Sequence, residues 1–311
     1  MRIAVIDLGT NTFNLLVAEV NSFNHYRILY STKSPVMLGK GGINKKSITP
    51  DAIERGINTL GRYQHKIESF GCNKIYAYAT SAVRCAENGI DFISKVKQEL
   101  GIDINIISGD KEAELIYHGV KLGTRLKDEV SVIMDIGGGS TEFIICNQYQ
   151  IFWKKSFEIG AARILDQFQP SDPINNLQVS QIENHFENKL DELFEAINHY
   201  QAKTLIGSSG SFDTFAEIIA HKFYEPEIVE NITEYTFYLN DFYFIHNQLL
   251  KSSRDDRLNT PGLIPMRVDM IVIASIFVNY VLNKCNFKKM RLSAYSLKEG
   301  VLNELLNKVM V

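Results

Sequence analysis

The sequence predicts an α/β protein built from two similar halves with a cleft between them. Three observations support this prediction. Apolar runs that read as buried strands alternate with amphipathic helical segments along the chain. Each half opens in the same way, with an apolar strand, a turn rich in glycine and hydroxyl side chains, and a second strand. The chain of 311 residues is also long enough for two domains.

The first half reads as three strands followed by alternating helices and strands. We expect strands at residues 3–7, 13–20, 26–32, 74–80 and 104–107, and helices at residues 50–70, 91–100 and 110–122. The first helix has clear end signals, because Thr49 is a candidate N-cap, Pro50 suits the first turn and Gly71 provides a stop.

The second half repeats this opening and then diverges. Strands are expected at residues 130–135, 141–146, 150–157, 204–206 and 290–294, and helices at residues 266–284 and 297–310. A long helix is also predicted where Ser180 and Glu183 match the spacing of a capping box. Residues 223–262 read as a helical insertion that carries loops. We therefore expect a first lobe of residues 1–123, joined by the closing helix 297–311, and a second lobe of residues 124–296.

Composition excludes several classes of function. The net charge of −3 and the pI of about 6.2 predict no nucleic-acid or membrane partner. Asp7 comes too early for a signal peptide, and the longest apolar stretch, residues 271–282, is too short for a membrane span, so we expect a cytoplasmic protein. The four cysteines form no C-x-x-C pair and the histidines form no zinc motif, so neither zinc nor a thiol nucleophile is expected.

Two turns rich in glycine and hydroxyl side chains stand about half the chain apart. The first is Asp7-Leu8-Gly9-Thr10-Asn11-Thr12, and the second is Asp135-Ile136-Gly137-Gly138-Gly139-Ser140-Thr141. Each turn leads into a strand, whereas a dinucleotide fold or a P-loop requires its turn to open a helix. We therefore predict two hairpin tips whose backbone N–H groups and hydroxyls bind a phosphoryl group. A pair of ordinary hairpin turns is the alternative.

Several other short stretches accompany these turns in a fixed order. They are Leu38-Gly39-Lys40-Gly41, Ala79-Thr80-Ser81-Ala82-Val83-Arg84, Ile107-Ser108-Gly109 followed by Glu112-Ala113, Gly207-Ser208-Ser209-Gly210-Ser211 and Ser296-Leu297-Lys298-Glu299-Gly300. Together with the two turns they resemble the exopolyphosphatase and guanosine pentaphosphate phosphohydrolase (Ppx/GppA) phosphatase family in a short two-domain form. The resemblance covers nearly the whole chain. It implies the two-lobed actin-like, sugar kinase and Hsp70 ATPase superfold, which is ribonuclease H-like.

The sequence departs from the pattern of that family at two places. Asp110 and Lys111 precede Glu112 where the family commonly has two adjacent glutamates, and this leaves Glu112 in place. Ser296 and Lys298 stand where glycine and arginine are usual.

The resemblance and the chemistry of the residues together give candidate catalytic and metal-binding groups. Position in the family motif implies that Glu112 is the general base for an attacking water. Its place in the first turn of a helix favours the ionised form, and balancing the helix dipole is its alternative role. Asp7, Asp135 and Glu142 are the candidate Mg²⁺ ligands, and Asp135 is also counted as catalytic; capping of turns is the alternative for the aspartates.

Substrate contacts are expected from the two turns, from a third small-residue loop and from one arginine. The residues are Gly9, Thr10, Asn11, Thr12, Arg84, Gly137, Gly138, Gly139, Ser140, Thr141, Ser209, Gly210 and Ser211. Arg84 follows a strand at a turn, where its guanidinium suits phosphate oxygens, and a solvated arginine is the alternative. Lys40, Arg267 and Lys298 offer further positive charge.

These expectations combine into a Mg²⁺-dependent exopolyphosphatase that releases orthophosphate from the ends of inorganic polyphosphate. The first alternative is removal of the 5′ γ-phosphate of guanosine pentaphosphate (pppGpp), since the turns say nothing about what lies beyond the terminal phosphoryl group. An ATP-dependent sugar kinase and a catalytically silent binder of phosphorylated signals are less favoured. Whether the protein forms a homodimer stays open.

Overall fold

The computed structural model describes residues 1–21 and 25–308, which form two mixed β-sheets with helices around and between them. The first sheet consists of β1 (Arg2–Leu8), β2 (Thr12–Val20), β3 (Tyr26–Pro35), β4 (Lys74–Ala79) and β5 (Ile104–Ile106). Its spatial order is β3-β2-β1-β4-β5. Strand β2 is antiparallel to both β1 and β3, whereas β4 runs parallel to β1 and β5 runs parallel to β4.

The second sheet repeats the arrangement of the first. It consists of β6 (Ser131–Ile136), β7 (Thr141–Cys146), β8 (Ile151–Phe157), β9 (Thr204–Ser208), β10 (Glu234–Phe237) and β11 (Lys289–Ser293). Its order is β10-β11-β9-β6-β7-β8, so that β8-β7-β6-β9-β11 matches the first sheet in order and direction. Strand β10 is an extra antiparallel edge strand. The duplicated order confirms the predicted two-half α/β fold of ribonuclease H-like type.

Helices connect and cover the two sheets. They are α1 (Pro50–Ser69), α2 (Ser81–Arg84), α3 (Gly89–Leu100), α4 (Gly109–Gly123), α5 (Ala161–Phe168), α6 (Asn176–Lys189), α7 (Asp191–Tyr200), α8 (Gly210–Phe223), α9 (Leu239–Lys251), α10 (Arg254–Leu258), α11 (Ile271–Lys284) and α12 (Leu297–Lys308). Short 3₁₀ turns lie at Ile43–Lys45, Pro226–Val229 and Pro265–Arg267. Among the described residues, no helix combines the length and the apolar character that a membrane span requires.

The predicted start of the long helix in the second half is wrong. The long helix of the second half begins at Asn176 and is divided at Leu190 into α6 and α7. Its capping box is formed by Asn175 and Gln178, because the Asn175 side chain accepts from the Gln178 N–H at 3.0 Å and Gln178 Oε1 accepts from the Asn175 N–H at 3.3 Å. Ser180 is therefore an exposed residue within the helix and does not begin it.

Two other segments differ from their predictions. Residues 223–262 contain the expected helices α9 and α10 but also the edge strand β10, which is too short to leave a clear alternating pattern. The helix predicted for residues 266–284 starts only at Ile271, after a 3₁₀ turn. The closing helix is confirmed as α12 up to Lys308, and residues 309–311 lie outside the described part of the chain.

Helices α4 and α12 lie together between the two sheets. Each half contributes its last helix to the sheet of the other half, since α4 packs on β7 and β8 while α12 packs on β1 and β2. The two helices cross with their backbones in contact, because a Cβ at Gly119 would lie 1.9 Å from Ser296 O and a Cβ at Gly300 would lie 1.7 Å from Leu115 O. The lobe boundary between residues 123 and 124 stays a prediction.

Candidate active site

The two predicted turns meet between the sheets. The first joins β1 to β2 and the second joins β6 to β7, as antiparallel hairpins. A Cβ at Gly139 would lie 2.5 Å from Thr10 Oγ1, and a Cβ at Gly138 would lie 3.2 Å from Thr10 Cβ. Glycine is therefore required for this close approach, and the turns converge as the sequence predicted.

The backbone of the first turn is oriented by the segment that follows β3. The Gly39 N–H donates to Thr10 O at 3.0 Å, and the Val36 and Met37 N–H groups donate to Asn11 O at 3.0 and 2.8 Å. A planar trans peptide directs its N–H opposite to its carbonyl. The N–H groups of Asn11 and Thr12 therefore point away from this segment, and both residues line the cavity described below.

The second turn is oriented in the same way by the start of α5. The Gly137 carbonyl accepts from the Ala161 N–H at 2.9 Å, and the Gly138 carbonyl accepts from the Arg163 N–H at 3.0 Å. The Gly139 carbonyl accepts from the Gly160 N–H at 3.3 Å. Arg163 Nε adds a bond of 2.8 Å to Gly139 O. With all three carbonyls directed to α5, the N–H groups of the next three residues point to the opposite side, where an anion would find donors.

A cavity of about 110 Å³ lies where the two turns meet, which is enough for a small anion. Its lining includes most of the predicted site residues: Asp7, Gly9, Thr10, Asn11, Thr12, Glu112, Asp135, Gly137, Gly138, Gly139, Ser140, Glu142, Ser209, Gly210 and Ser211. Arg84 and Thr141 do not line it. The Thr141 hydroxyl donates to Ile159 O at 3.2 Å and is buried beside the cavity. The predicted substrate contacts of Arg84 and Thr141 stay predictions.

The third small-residue loop brings a helix N-terminus to the cavity. Helix α8 begins at Gly210, and Ser209, Gly210 and Ser211 all line the cavity. Ser209 has φ of 73°, a conformation that costs energy for a residue with a side chain. A Cβ at Gly210 would lie 1.7 Å from Arg267 Nη2, so glycine makes room for the Arg267 guanidinium. The positive end of α8 and this guanidinium both favour an anion.

The three carboxylates predicted to bind Mg²⁺ all line the cavity, and each accepts at least one hydrogen bond. Asn14 Nδ2 donates to Asp7 Oδ2 at 2.8 Å, and Ser156 Oγ donates to Glu142 Oε1 at 2.6 Å. Asp135 Oδ2 accepts from Ser208 Oγ at 2.5 Å and also from Ser296 Oγ.

The protonation of these carboxylates is dominated by their burial. Burial raises the pKa of Asp7 to about 7 and that of Glu142 to about 7, and it also raises the pKa of Asp135. The charge of Asp135 adds to the increase at both of the other groups. A cation placed among the three would remove this repulsion, so the donor set fits the predicted Mg²⁺.

Among the described residues, no three histidine, cysteine, aspartate or glutamate side chains lie close enough to form a metal site by themselves. Mg²⁺ commonly keeps several waters and binds through one or two carboxylates together with substrate phosphates. The arrangement therefore fits an ion shared with the substrate, and the assignment of Asp7, Asp135 and Glu142 as its ligands stays a prediction.

Glu112 lies in the first turn of α4, as predicted, and is only 7% exposed. Arg84 Nη1 donates to Glu112 Oε2 at 2.8 Å and to Ile107 O at 3.0 Å, so Arg84 lies behind the glutamate as seen from the cavity. Burial, with the charge of Glu142 second, raises the pKa of Glu112 well above its ordinary value despite this ion pair. The expectation that the helix dipole favours the ionised form is corrected here, because burial outweighs the dipole.

Some residues of the site were not found from the sequence. Ser208 is buried behind the cavity, and its hydrogen bond to Asp135 has no local signal in the sequence. Lys33 and Asp213 line the cavity, and neither belongs to a motif. Of the additional cations proposed, Arg267 and Lys298 line the cavity, whereas Lys40 is exposed and does not.

Comparison with known proteins agrees with this geometry. The family model described as the Ppx/GppA phosphatase family matches residues 16–309. The chain belongs to the Ppx/GppA phosphatase family. It is 41% identical to an exopolyphosphatase of Cytophaga hutchinsonii, with a TM-score of 0.96 over 99% of this chain and 98% of the other.

Two more distant Ppx/GppA relatives have similar coverage. Exopolyphosphatase 1 of Mycobacterium tuberculosis is 24% identical over 303 residues, which are 97% of this chain and 87% of that protein. The Ppx/GppA enzyme of Aquifex aeolicus is 23% identical, with a TM-score of 0.78 over 98% of this chain and 99% of that one, and therefore shares the fold.

Ser296, one of the two places where the sequence departs from the pattern that the resemblance implies, has a structural role. Its hydroxyl donates to the Asp135 carboxylate. The Ser296 N–H donates to Glu299 Oε2 at 3.0 Å, which caps the start of α12. This chain therefore links the first turn of α12 directly to a cavity carboxylate.

Proposed function

We propose that the protein is a Mg²⁺-dependent exopolyphosphatase, which hydrolyses the terminal phosphoanhydride bond of inorganic polyphosphate and releases orthophosphate. One observation carries the proposal. Two hairpin turns, each with its carbonyls bonded away from the cavity, present their N–H groups to the same small space beside a buried glutamate.

Two buried side-chain atoms support an anionic ligand in this space. Thr10 Oγ1 and Asn11 Nδ2 have no hydrogen-bond partner among the described residues, although both are buried. A buried donor without a partner costs roughly 1–3 kcal/mol. Oxygens of a terminal phosphoryl group would accept from both donors and from the N–H groups of the turns, so binding would remove this cost.

Glu112 is the group that we assign to the attacking water. The water oxygen bonds to the terminal phosphorus, its proton passes to Glu112, and the bond between phosphorus and the bridging oxygen breaks to release the shortened chain. A raised pKa makes Glu112 a stronger base once it is ionised, and Arg84 retains part of the ionised population. Asp7, Asp135 and Glu142 would hold Mg²⁺ directly or through water, and the ion would neutralise phosphate oxygens.

The relatives support the choice of substrate. The Cytophaga hutchinsonii protein, named an exopolyphosphatase, matches this chain over nearly the full length of both. Removal of the 5′ γ-phosphate of pppGpp uses the same terminal-group chemistry. The assay must therefore distinguish hydrolysis of pppGpp from hydrolysis of polyphosphate.

The test measures free phosphate from long-chain polyphosphate and from pppGpp, with Mg²⁺ and with EDTA. We expect turnover of polyphosphate that requires Mg²⁺ and falls by at least about 10² in Glu112→Gln. Glu114→Gln is the matched control, because Glu114 lies on the same helix and pairs with Lys111 and Lys154 outside the cavity. Turnover of pppGpp alone would reject polyphosphate as the substrate, and equal turnover by Glu112→Gln would remove Glu112 from the mechanism.

A further inference from the structure

Lys33 and Asp213 form an ion pair across the cleft. Lys33 Nζ lies 2.8 Å from Asp213 Oδ2, with 180 positions between the two residues in the chain. Lys33 belongs to the edge strand β3 of the first sheet, whereas Asp213 lies in the first turn of α8, which follows β9 of the second sheet. Both residues line the candidate active-site cavity. Their side chains are 41% and 29% exposed, which places them at its rim.

Two other cations, Arg267 and Lys298, line the same cavity as Asp213. Burial opposes the charged form of both and lowers the pKa of Arg267, while the charge of Asp213 acts in the opposite direction. Lys298 is itself paired with Glu299 at 2.5 Å, so Lys33 is the cation that binds Asp213 directly. A carboxylate at this place would repel phosphate, so its presence in an anion-binding cavity requires an explanation.

We propose that Asp213 occupies the position of a substrate phosphoryl group in the free protein, and that Lys33 leaves Asp213 to bind the phosphoryl groups behind the terminal one. This inference rests on the proposed function. It makes Lys33 a substrate-binding residue and makes Asp213 a competitor that sets the affinity for the phosphoanhydride chain.

The physical basis is the weakness of an ion pair at a rim. Pairs between exposed side chains contribute little, because water screens them and two side chains must be ordered. A polyphosphate chain carries several charges and offers more acceptor oxygens than one carboxylate, so it forms stronger charge-assisted bonds to the same ammonium group. Substrate binding would therefore exchange one partner of Lys33 for another without leaving a charge unpaired.

The test compares Lys33→Met, Asp213→Asn and the double variant in polyphosphate hydrolysis. We expect the KM of Lys33→Met to rise about three- to tenfold, consistent with loss of one partly exposed charge-assisted bond. We expect the KM of Asp213→Asn to fall by a similar factor, with a smaller change in kcat for both. In the Lys33→Met background, Asp213→Asn should lower the KM less than it does in the wild type.

Lys155→Met and Glu192→Gln are the matched controls. Lys155 Nζ lies 2.7 Å from Glu192 Oε2, Lys155 is 38% exposed, and neither residue lines the cavity. Both controls should leave the KM unchanged. An unchanged or raised KM in Asp213→Asn, an unchanged KM in Lys33→Met, or an equal effect of Asp213→Asn in both backgrounds would overturn the inference.

A binding measurement separates this inference from the proposed function. Tripolyphosphate is titrated into each variant by calorimetry without Mg²⁺, so that no turnover is needed. Tighter binding by Asp213→Asn and weaker binding by Lys33→Met are expected even if the wild type hydrolyses no polyphosphate. Binding that is equal in the wild type and both variants would reject the role of the pair, whatever the outcome of the hydrolysis assay.

Discussion

Arg84 Nη1 lies 2.8 Å from Glu112 Oε2, and both side chains are largely enclosed, at 19% and 9% exposure. The two residues come from different helices of the first half, since Arg84 ends the short helix α2 and Glu112 lies in the first turn of α4. Arg84 is therefore placed to control the charge of the proposed base without reaching the cavity.

Replacing Arg84 by methionine should change the pH profile of turnover. Arg84 lowers the pKa of Glu112, so its loss raises that pKa further, and the base becomes ionised only at higher pH. We expect the acidic limb of kcat/KM against pH to move to higher pH. Arg84→Lys keeps the charge and should show a smaller shift. An acidic limb at the same pH in the wild type and Arg84→Met would contradict the role given to Arg84.

Glu142→Gln should stabilise the free protein while it impairs turnover. The folded-state pKa of about 7 lies above the ordinary value of 4.5, so the folded protein binds more protons than the unfolded chain between these values and loses stability as pH rises. The free energy of unfolding of the variant should therefore exceed that of the wild type by on the order of 1–3 kcal/mol above pH 7, and should equal it below pH 4. Urea unfolding at pH 4 and pH 8 measures this, with exposed Glu195→Gln as the control; an equal gain at both pH values would refute the explanation.

Thr10→Val should separate binding from stability. The Thr10 hydroxyl is buried without a partner in the described part of the chain, so its removal should leave the free energy of unfolding unchanged or raise it slightly, while KM increases about tenfold. Thr124→Val is a close control, because Thr124 Oγ1 is likewise buried with no partner among residues 1–21 and 25–308 but lies outside the cavity. If both variants raise KM equally, the Thr10 hydroxyl has no special part in binding.

Gly139→Ala should disrupt the meeting of the turns. The added Cβ would lie 2.5 Å from Thr10 Oγ1 and 2.6 Å from Ser81 Oγ, so one of the turns must move. We expect turnover to fall by at least about tenfold, because small displacements of positioning groups are costly. Gly61→Ala in α1 provides the contrast, since among the described residues its Cβ would meet only Leu100 Cδ2 of α3, at an ordinary contact distance of 3.8 Å. This variant should be neutral or stabilising. Full activity in Gly139→Ala would show that the contact is not needed.

Local features of the site could be predicted from the sequence, because they depend on short segments. The turns at Gly9 and Gly137, the strands around them and the place of Glu112 at a helix start all follow from neighbouring residues. The convergence of the turns followed from the repeat of the same pattern in both halves, and the structure confirms it.

Contacts between distant segments could not be predicted. Arg84 and Glu112 are 28 positions apart, Asp135 and Ser296 are 161 apart, and Lys33 and Asp213 are 180 apart. The protonation of Glu112 illustrates the difficulty. A helix N-terminus contributes about 0.3–1 kcal/mol, whereas removing a carboxylate from water costs several kcal/mol, and only the folded structure shows how deeply the group is buried.

The packing of α4 on the second sheet and of α12 on the first sheet affects how the chain must fold during synthesis. The ribosome completes β1 and β2 early, but α12, which covers them, emerges only after nearly all of the second half has been made. Until then the apolar side chains on that face of the first sheet, including Val5 and Leu16, lack part of their cover. The nascent first half therefore cannot finish its own interior before the last helix has joined the earliest strands.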